Sequence, residues 1–235
     1  MHDGPAVFIL DDDESFVAAL GRLLSGEGFR TRGWTSAKTF LAEHDPDAPG
    51  CLLTDLIMPE MSGLELQRAL IAAGCGRPIV FITGEGDMIS AVEGMRAGAV
   101  TFLPKPIRGV ELVAAVREAL AEDAAMRASQ AKRGRTLTLL RSLTAREREV
   151  LDLIVQGLLN KQIAAQLGIA EKTVKVHRDR LMHKMQVRSA AALINLLRRG
   201  ESAAARSNHP RPAPQDMREE TCVGELRLQE KATNT

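Results

Sequence analysis

The chain has no tyrosine, one tryptophan and six phenylalanines, and all seven of these rings lie at or before Phe102. The half beyond Phe102 therefore offers no such ring on which an unpaired base could stack, which argues against single-stranded nucleic acid as its partner. The three cysteines (Cys51, Cys75, Cys222) are too dispersed for paired metal-ligand spacing and read as reduced, structural thiols. No apolar run is long enough to span a bilayer and no apolar leader follows Met1, so the expectation is a soluble cytoplasmic protein with no membrane partner.

What is present divides the chain. The net charge of +1 conceals an acidic first half, with 10 Lys/Arg against 17 Asp/Glu in residues 1–120, and a basic second half, with 12 against 5 in residues 141–199. Two chemically different domains are expected, the basic one suited to a polyanion.

In the acidic half, 6–10 (AVFIL) is a short apolar run that ends in Asp11, Asp12, Asp13 and Glu14. It reads as a buried strand with carboxylates at its tip. Phe16, Val17, Leu20, Leu23 and Leu24 then recur at helical spacing until Gly26 and Gly28. The same alternation continues: strand 29–32, helix 36–44, strand 51–54, helix 64–73, strand 78–83 (PIVFIT), helix 88–96, strand 100–103 and a long helix opened by Ile107. Five strands alternating with five helices imply a parallel sheet covered on both faces. Asp11 and Asp12, Asp55, Thr83 and Lys105 each fall at a strand's carboxyl end, where open parallel sheets gather ligands. Taken singly, each has a plainer reading, as a turn acid, a β-favouring Thr or a solvated Lys.

In the order ILDDD, LLTDLIMPEMSG, FITGEGD and FLPKP, these residues resemble the receiver domain of response regulators, a flavodoxin-like fold. The resemblance implies that Asp55 accepts a phosphoryl group and that Asp11, Asp12, Asp55 and the Ile57 carbonyl hold Mg²⁺, with Mn²⁺ as the alternative ion. It further implies that Thr83 and Lys105 contact the phosphoryl oxygens, and that Ile57 and Glu85 tune access of hydrolytic water. Carboxylates about 4 Å apart repel by about 4 kcal/mol per pair at an effective dielectric near 20, so the cluster calls for a cation. Hard oxygen ligands with open positions suit Mg²⁺. The implied switch is Thr83 moving toward the phosphoryl group while Phe102 rotates inward, and plain core packing is the other reading of Phe102. The responding face, 88–96 with 100–103 and the next helix, is one that such proteins use to dimerise. A haloacid-dehalogenase-type phosphatase, with Asp11 as nucleophile and Asp13 as acid/base, is the enzymatic alternative. It would need a further acidic pair at a strand end, whereas Glu122 and Asp123 lie mid-helix.

Val113, Val116 and Leu120 give the last helix of this half a core stripe, and an Ala-rich continuation leads to Gly134, the expected stop. In the basic half, Thr144-x-x-Glu147 is a capping box, and helices are expected to 157, over 160–167, over 171–185 and over 189–198. Helix, short Gly turn, helix is a helix-turn-helix signature. LTAREREVL, NKQIAAQL and TVKVHRDRLMHKM resemble the LuxR/FixJ/NarL-type DNA-binding domain. That resemblance places the third helix in the major groove. Lys175, Val176 and Asp179 are candidates for base contacts, and Lys172, Thr173, Arg178 and Lys184 for phosphate contacts. Ala170 stands where that family usually has a helix-capping Ser, and Asp179 is an acid facing DNA, suited to cytosine N4 or to excluding some sites.

The resulting expectation is an α/β receiver domain over 5–125, a helical linker over 126–141 and an all-α four-helix helix-turn-helix domain over 142–200. A disordered tail follows over 201–235, with a short partner helix near 223–228 as an option. The function implied is a two-component response regulator that accepts phosphate from a sensor histidine kinase. It would dimerise when phosphorylated, bind double-stranded promoter DNA and act with RNA polymerase. Its only expected reactions are self-phosphorylation and self-dephosphorylation. A phosphorelay adaptor without DNA binding is the alternative.

Overall fold

Alternation along the apolar runs builds two cores from one sheet. In the computed structural model, which describes residues 4–84 and 88–206, the strands are β1 (Ala6–Leu10), β2 (Arg30–Trp34), β3 (Gly50–Asp55), β4 (Ile79–Thr83) and β5 (Thr101–Pro104). They are parallel, in the order β2-β1-β3-β4-β5. Val7, Ile9, Cys51, Leu53, Val80 and Ile82 point to one face, where α1 (Glu14–Gly26) and α5 (Gly109–Arg141) contribute Leu20, Leu24, Leu112 and Val116. Phe8, Leu10, Leu52, Ile79 and Phe81 point to the other, under α2 (Ala37–Glu43), α3 (Gly63–Ala72) and α4 (Met88–Arg96). This is the expected five-stranded sheet with helices on both faces. Strand and helix ends differ from the sequence reading by one to two residues: β2 begins at Arg30, β5 at Thr101, and α5 at Gly109 rather than at Ile107.

At the entry end of the sheet, Gly50 has φ 147°, and a Cβ there would stand 2.0 Å from the Ala6 carbonyl, so only glycine opens β3. The loop before it is held from two sides. Arg77 donates to the Asp45 carbonyl at 2.7 Å, and Arg127 of α5 donates to the carbonyls of Asp47 and Ala48 at 2.7 and 2.8 Å.

Gly134 does not stop α5, which is 33 residues long, about 50 Å at 1.5 Å per residue. A helical glycine costs about 1 kcal/mol relative to alanine, and contacts beyond it offset that cost. Thr136 is buried, and Leu139 and Leu140 join the second domain's core. The expected linker is thus unbroken helix that enters the next core. That core is closed by α6 (Ala145–Val155), α7 (Asn160–Leu167), α8 (Glu171–Lys184) and α9 (Ala190–Arg206), packed around Val150, Ile154, Ile163, Val174, Leu181 and Leu193. The Thr144/Glu147 capping box forms as expected. The last helix extends to Arg206, so the first residues assigned to a disordered tail are helical. Residues 207–235, with the segment near 223–228, and Glu85 lie outside the described residues.

Candidate acidic site and nucleic-acid interface

Three strand ends bring the predicted acidic site together. Asp11 follows β1 and is 1% exposed, Asp55 closes β3, and Asp12 is exposed beside them. One oxygen from each lies within 4.8 Å of the others, a separation one hard cation can bridge. Lys105, just past β5, reaches in from the side. Its Nζ donates to Asp55 Oδ2 at 2.8 Å and to Asp11 Oδ2 at 3.0 Å, with its charge 4.4 Å from the Phe16 ring centre.

Burial pushes the Asp11 carboxyl above the ordinary carboxylate range, opposed by the Asp13 amide at 3.0 Å and by Lys105. For Lys105, burial pulls the ammonium pKa down, but hydrogen bonds to Asp55 and Asp11 outweigh it and the net shift is upward. The lysine therefore stays charged between the two carboxylates. Oxygen-only donors, one of them open to solvent, fit Mg²⁺, which retains waters and binds phosphate.

Thr83 ends β4 and is 9% exposed, and its hydroxyl donates to the Gly84 carbonyl at 3.1 Å. Ile57 is 63% exposed and its amide donates to Asp55 Oδ1 at 3.3 Å, so the backbone beside Asp55 is already turned toward the carboxylate. Phe102 lies inward, stacked on Phe81 with centroids 4.9 Å apart. Asp13 is not part of the cluster. Its Oδ1 caps α1, accepting from Ser15 Oγ and the amides of Ser15 and Phe16, and the Ser15 hydroxyl above all holds its pKa below the usual range.

Sequence reasoning missed Gly63. A Cβ there would lie 2.5 Å from the Asp55 carbonyl and 2.9 Å from the Phe81 ring. The α3 terminus, capped by Ser62 with Glu65, is thereby pressed against the end of β3. The signal was the Ser-Gly pair before a helical period, which reads equally as a turn.

In the second domain, α8 buries Val174 and Leu181 and exposes Lys172, Thr173, Lys175, Val176 and Asp179. Val176 is 42% exposed. Two candidate phosphate contacts are engaged elsewhere. Arg178 is half-buried and donates to Asn160 Oδ1 of α7 at 3.0 Å. Lys184 lies on the inner flank, donating to Glu147 Oε2 at 2.7 Å and to the Ser142 carbonyl at 3.1 Å. Lys184 thus forms an ion pair with the start of α6. Ala170 supplies no side-chain cap to α8.

The sequence profile described as "Response regulator receiver domain" matches residues 7–117, and that described as "Bacterial regulatory proteins, luxR family" matches residues 141–197. Response regulator protein TodT of Pseudomonas putida is 42% identical over 193 residues, covering 82% of this chain and 85% of its own. Transcriptional regulatory protein FixJ of Azorhizobium caulinodans is 38% identical over 196 residues, covering 83% and 93%. Among solved structures, response regulator StyR superposes with a TM-score of 0.76 at 46% identity, covering 83% of this chain and 99% of its own. Full-length FixJ from B. japonicum gives 0.52 at 33% identity, covering 84% and 98%.

Proposed function

Because the chain belongs to the response regulators that join a receiver domain to a LuxR-type DNA-binding domain, we propose that Asp55 is the phosphoacceptor of a sensor histidine kinase. Its phosphorylation then promotes dimerisation and sequence-specific binding to promoter DNA. The observation that carries this reading is the placement of Lys105 Nζ between Asp55 and Asp11, at 2.8 and 3.0 Å, beside an exposed third carboxylate.

An Asp55 carboxylate oxygen attacks the phosphorus of a phosphohistidine. The P–O bond forms as the P–N bond breaks, and the imidazole leaves with its electron pair. Asp11, Asp12, Asp55 and the Ile57 carbonyl would hold Mg²⁺, which supplies the positive charge that lets one anion attack another. Lys105 follows the new negative charge from the carboxylate to a phosphoryl oxygen. Thr83 exchanges its bond to the Gly84 carbonyl for one to the phosphoryl group, while Phe102, already stacked on Phe81, keeps its inward position. Water attack on the acyl phosphate later restores the Asp55 carboxylate and releases inorganic phosphate. On DNA, α8 lies in the major groove with Lys172 and Thr173 toward phosphates and Lys175, Val176 and Asp179 toward base edges. Among the described residues no helix is long and apolar enough to cross a membrane. The cytoplasm, where promoter DNA and RNA polymerase are found, is the proposed location.

The test treats wild type and Asp55→Asn with Mg²⁺ and a small acyl phosphate, with a chelator as control. Intact mass, oligomeric state and duplex binding are then followed as salt is varied. Wild type should gain one phosphoryl mass, dimerise and bind duplex with a steep negative salt slope. Equal phosphate on Asp55→Asn overturns the assignment of Asp55, and salt-insensitive or absent duplex binding favours a phosphorelay adaptor.

A further inference from the structure

The outer face of α8 sets Asp179 among cations, and its surroundings point to a particular base. Lys172, Lys175, Val176 and Asp179 are exposed together, while Arg178 and Lys184 are drawn back onto α7 and α6. Asp179 makes no hydrogen bond or ion pair among the described residues. A carboxylate carried unpaired into a groove walled by phosphates weakens binding unless it accepts a hydrogen bond there. The major groove offers two amino donors, cytosine N4 and adenine N6. Adenine sets its own N7 acceptor beside the free N6 hydrogen, where it repels a carboxylate, whereas the free N4 hydrogen of cytosine points toward the C5–H edge, away from the paired guanine O6.

Resting on the DNA-binding reading above, we propose that Asp179 is a specificity-determining residue that requires cytosine in each operator half-site, close to a guanine read by Lys175. The two residues are four apart, so they stand about 6 Å apart along the helix axis, which spans one to two base-pair steps of 3.4 Å. Val176, between them on the same face, meets a thymine methyl. The half-site thus combines one guanine, one thymine and one cytosine within a few adjacent pairs.

The experiment selects binding sites from randomised duplex DNA with the full chain, treated with Mg²⁺ and a small acyl phosphate, in wild type, Asp179→Asn, Asp179→Ala and Lys175→Ala. Wild type should return a half-site with invariant cytosine, and replacing that cytosine should weaken binding about 5- to 150-fold. Asp179→Asn should redirect the position to adenine, whose N6 and N7 suit an amide. Asp179→Ala should accept any base there, and Lys175→Ala should lose the guanine and keep the cytosine. A cytosine preference unchanged in Asp179→Ala overturns the proposal, as does tighter binding of every duplex by one common factor, which makes Asp179 a general electrostatic brake. A wild type that selects no consensus overturns the DNA-binding reading together with the proposal.

Discussion

Asp123, in the middle of α5, accepts the backbone amide of Gly50, the first residue of β3, at 2.9 Å. The same carboxylate takes two hydrogen bonds from Arg127 Nε, at 2.8 and 2.9 Å, and Arg127 in turn holds the carbonyls of Asp47 and Ala48. The helix that leads to the DNA-binding domain is thereby fastened to the strand that ends in Asp55.

Asp123→Ala should lower the stability of the receiver domain by about 1–3 kcal/mol, the cost of leaving a buried amide without its acceptor. Arg127 is about one-third exposed and can turn to water, so its lost ion pair adds little. Denaturant unfolding of the two proteins measures the difference, and Asp55 phosphorylation should reach the same stoichiometry in both.

Asp11→Asn should raise the melting temperature in chelator and abolish the rise expected of wild type with Mg²⁺. The sign follows from burial, which lifts the folded-state pKa of Asp11 above its ordinary 3.8. Above that value, ionising the carboxylate costs folded stability, and an amide relieves the cost while still accepting a bond from Lys105. Thermal melts with and without Mg²⁺ at neutral pH test both halves of the prediction.

Gly94→Ala should displace Phe102. A Cβ on Gly94 would stand 2.6 Å from the Phe102 ring tip and 3.1 Å from Phe81, too close for the stacked arrangement to survive. Overpacking of this kind costs about 1–3 kcal/mol. Loss of the stacked-ring chemical shifts of Phe81 and Phe102 by NMR would report it, with Asp55 still phosphorylated.

Glu147→Gln should flatten the acid limb of the second domain's stability. The Lys184 hydrogen bond, with those from Thr144, holds the Glu147 pKa below its ordinary 4.5. The stabilisation is therefore fully present above 4.5 and is lost as pH falls through the folded value. Urea unfolding of wild type and variant between neutral and acid pH should show the two curves converging at low pH.

Ala170→Ser should stabilise the helix-turn-helix domain by about 1 kcal/mol, because α8 begins at an extended residue with no side-chain cap. A rise in melting temperature without a change in DNA sequence preference is the expected outcome.

Much of this was legible in the residues themselves. The continuous apolar strand at 78–83 and the polar residues placed at strand ends located the sheet and the acidic site, because buried parallel strands and their carboxyl ends carry strong local signatures. Gly134 misled because propensity is a weak prior that packing overrides, here through Thr136, Leu139 and Leu140. The role of Asp123 was not legible, since nothing local reveals that Gly50, 73 residues earlier, presents an amide to it. Lys184 looked like one more basic residue on a DNA-facing helix. Its inner position follows only from where Glu147 sits, which is tertiary information.

The unbroken course of α5 from Gly109 to Arg141 sets an azimuth as well as a distance. Each residue inserted into its exposed middle turns everything beyond it by about 100° and advances it by about 1.5 Å. Seven residues, about two turns, restore nearly the original heading some 10 Å further out, while three or four reach it only approximately. The two halves are geared to one another like parts on a common shaft, and the responses of insertion variants should rise and fall with helical phase, not with linker length.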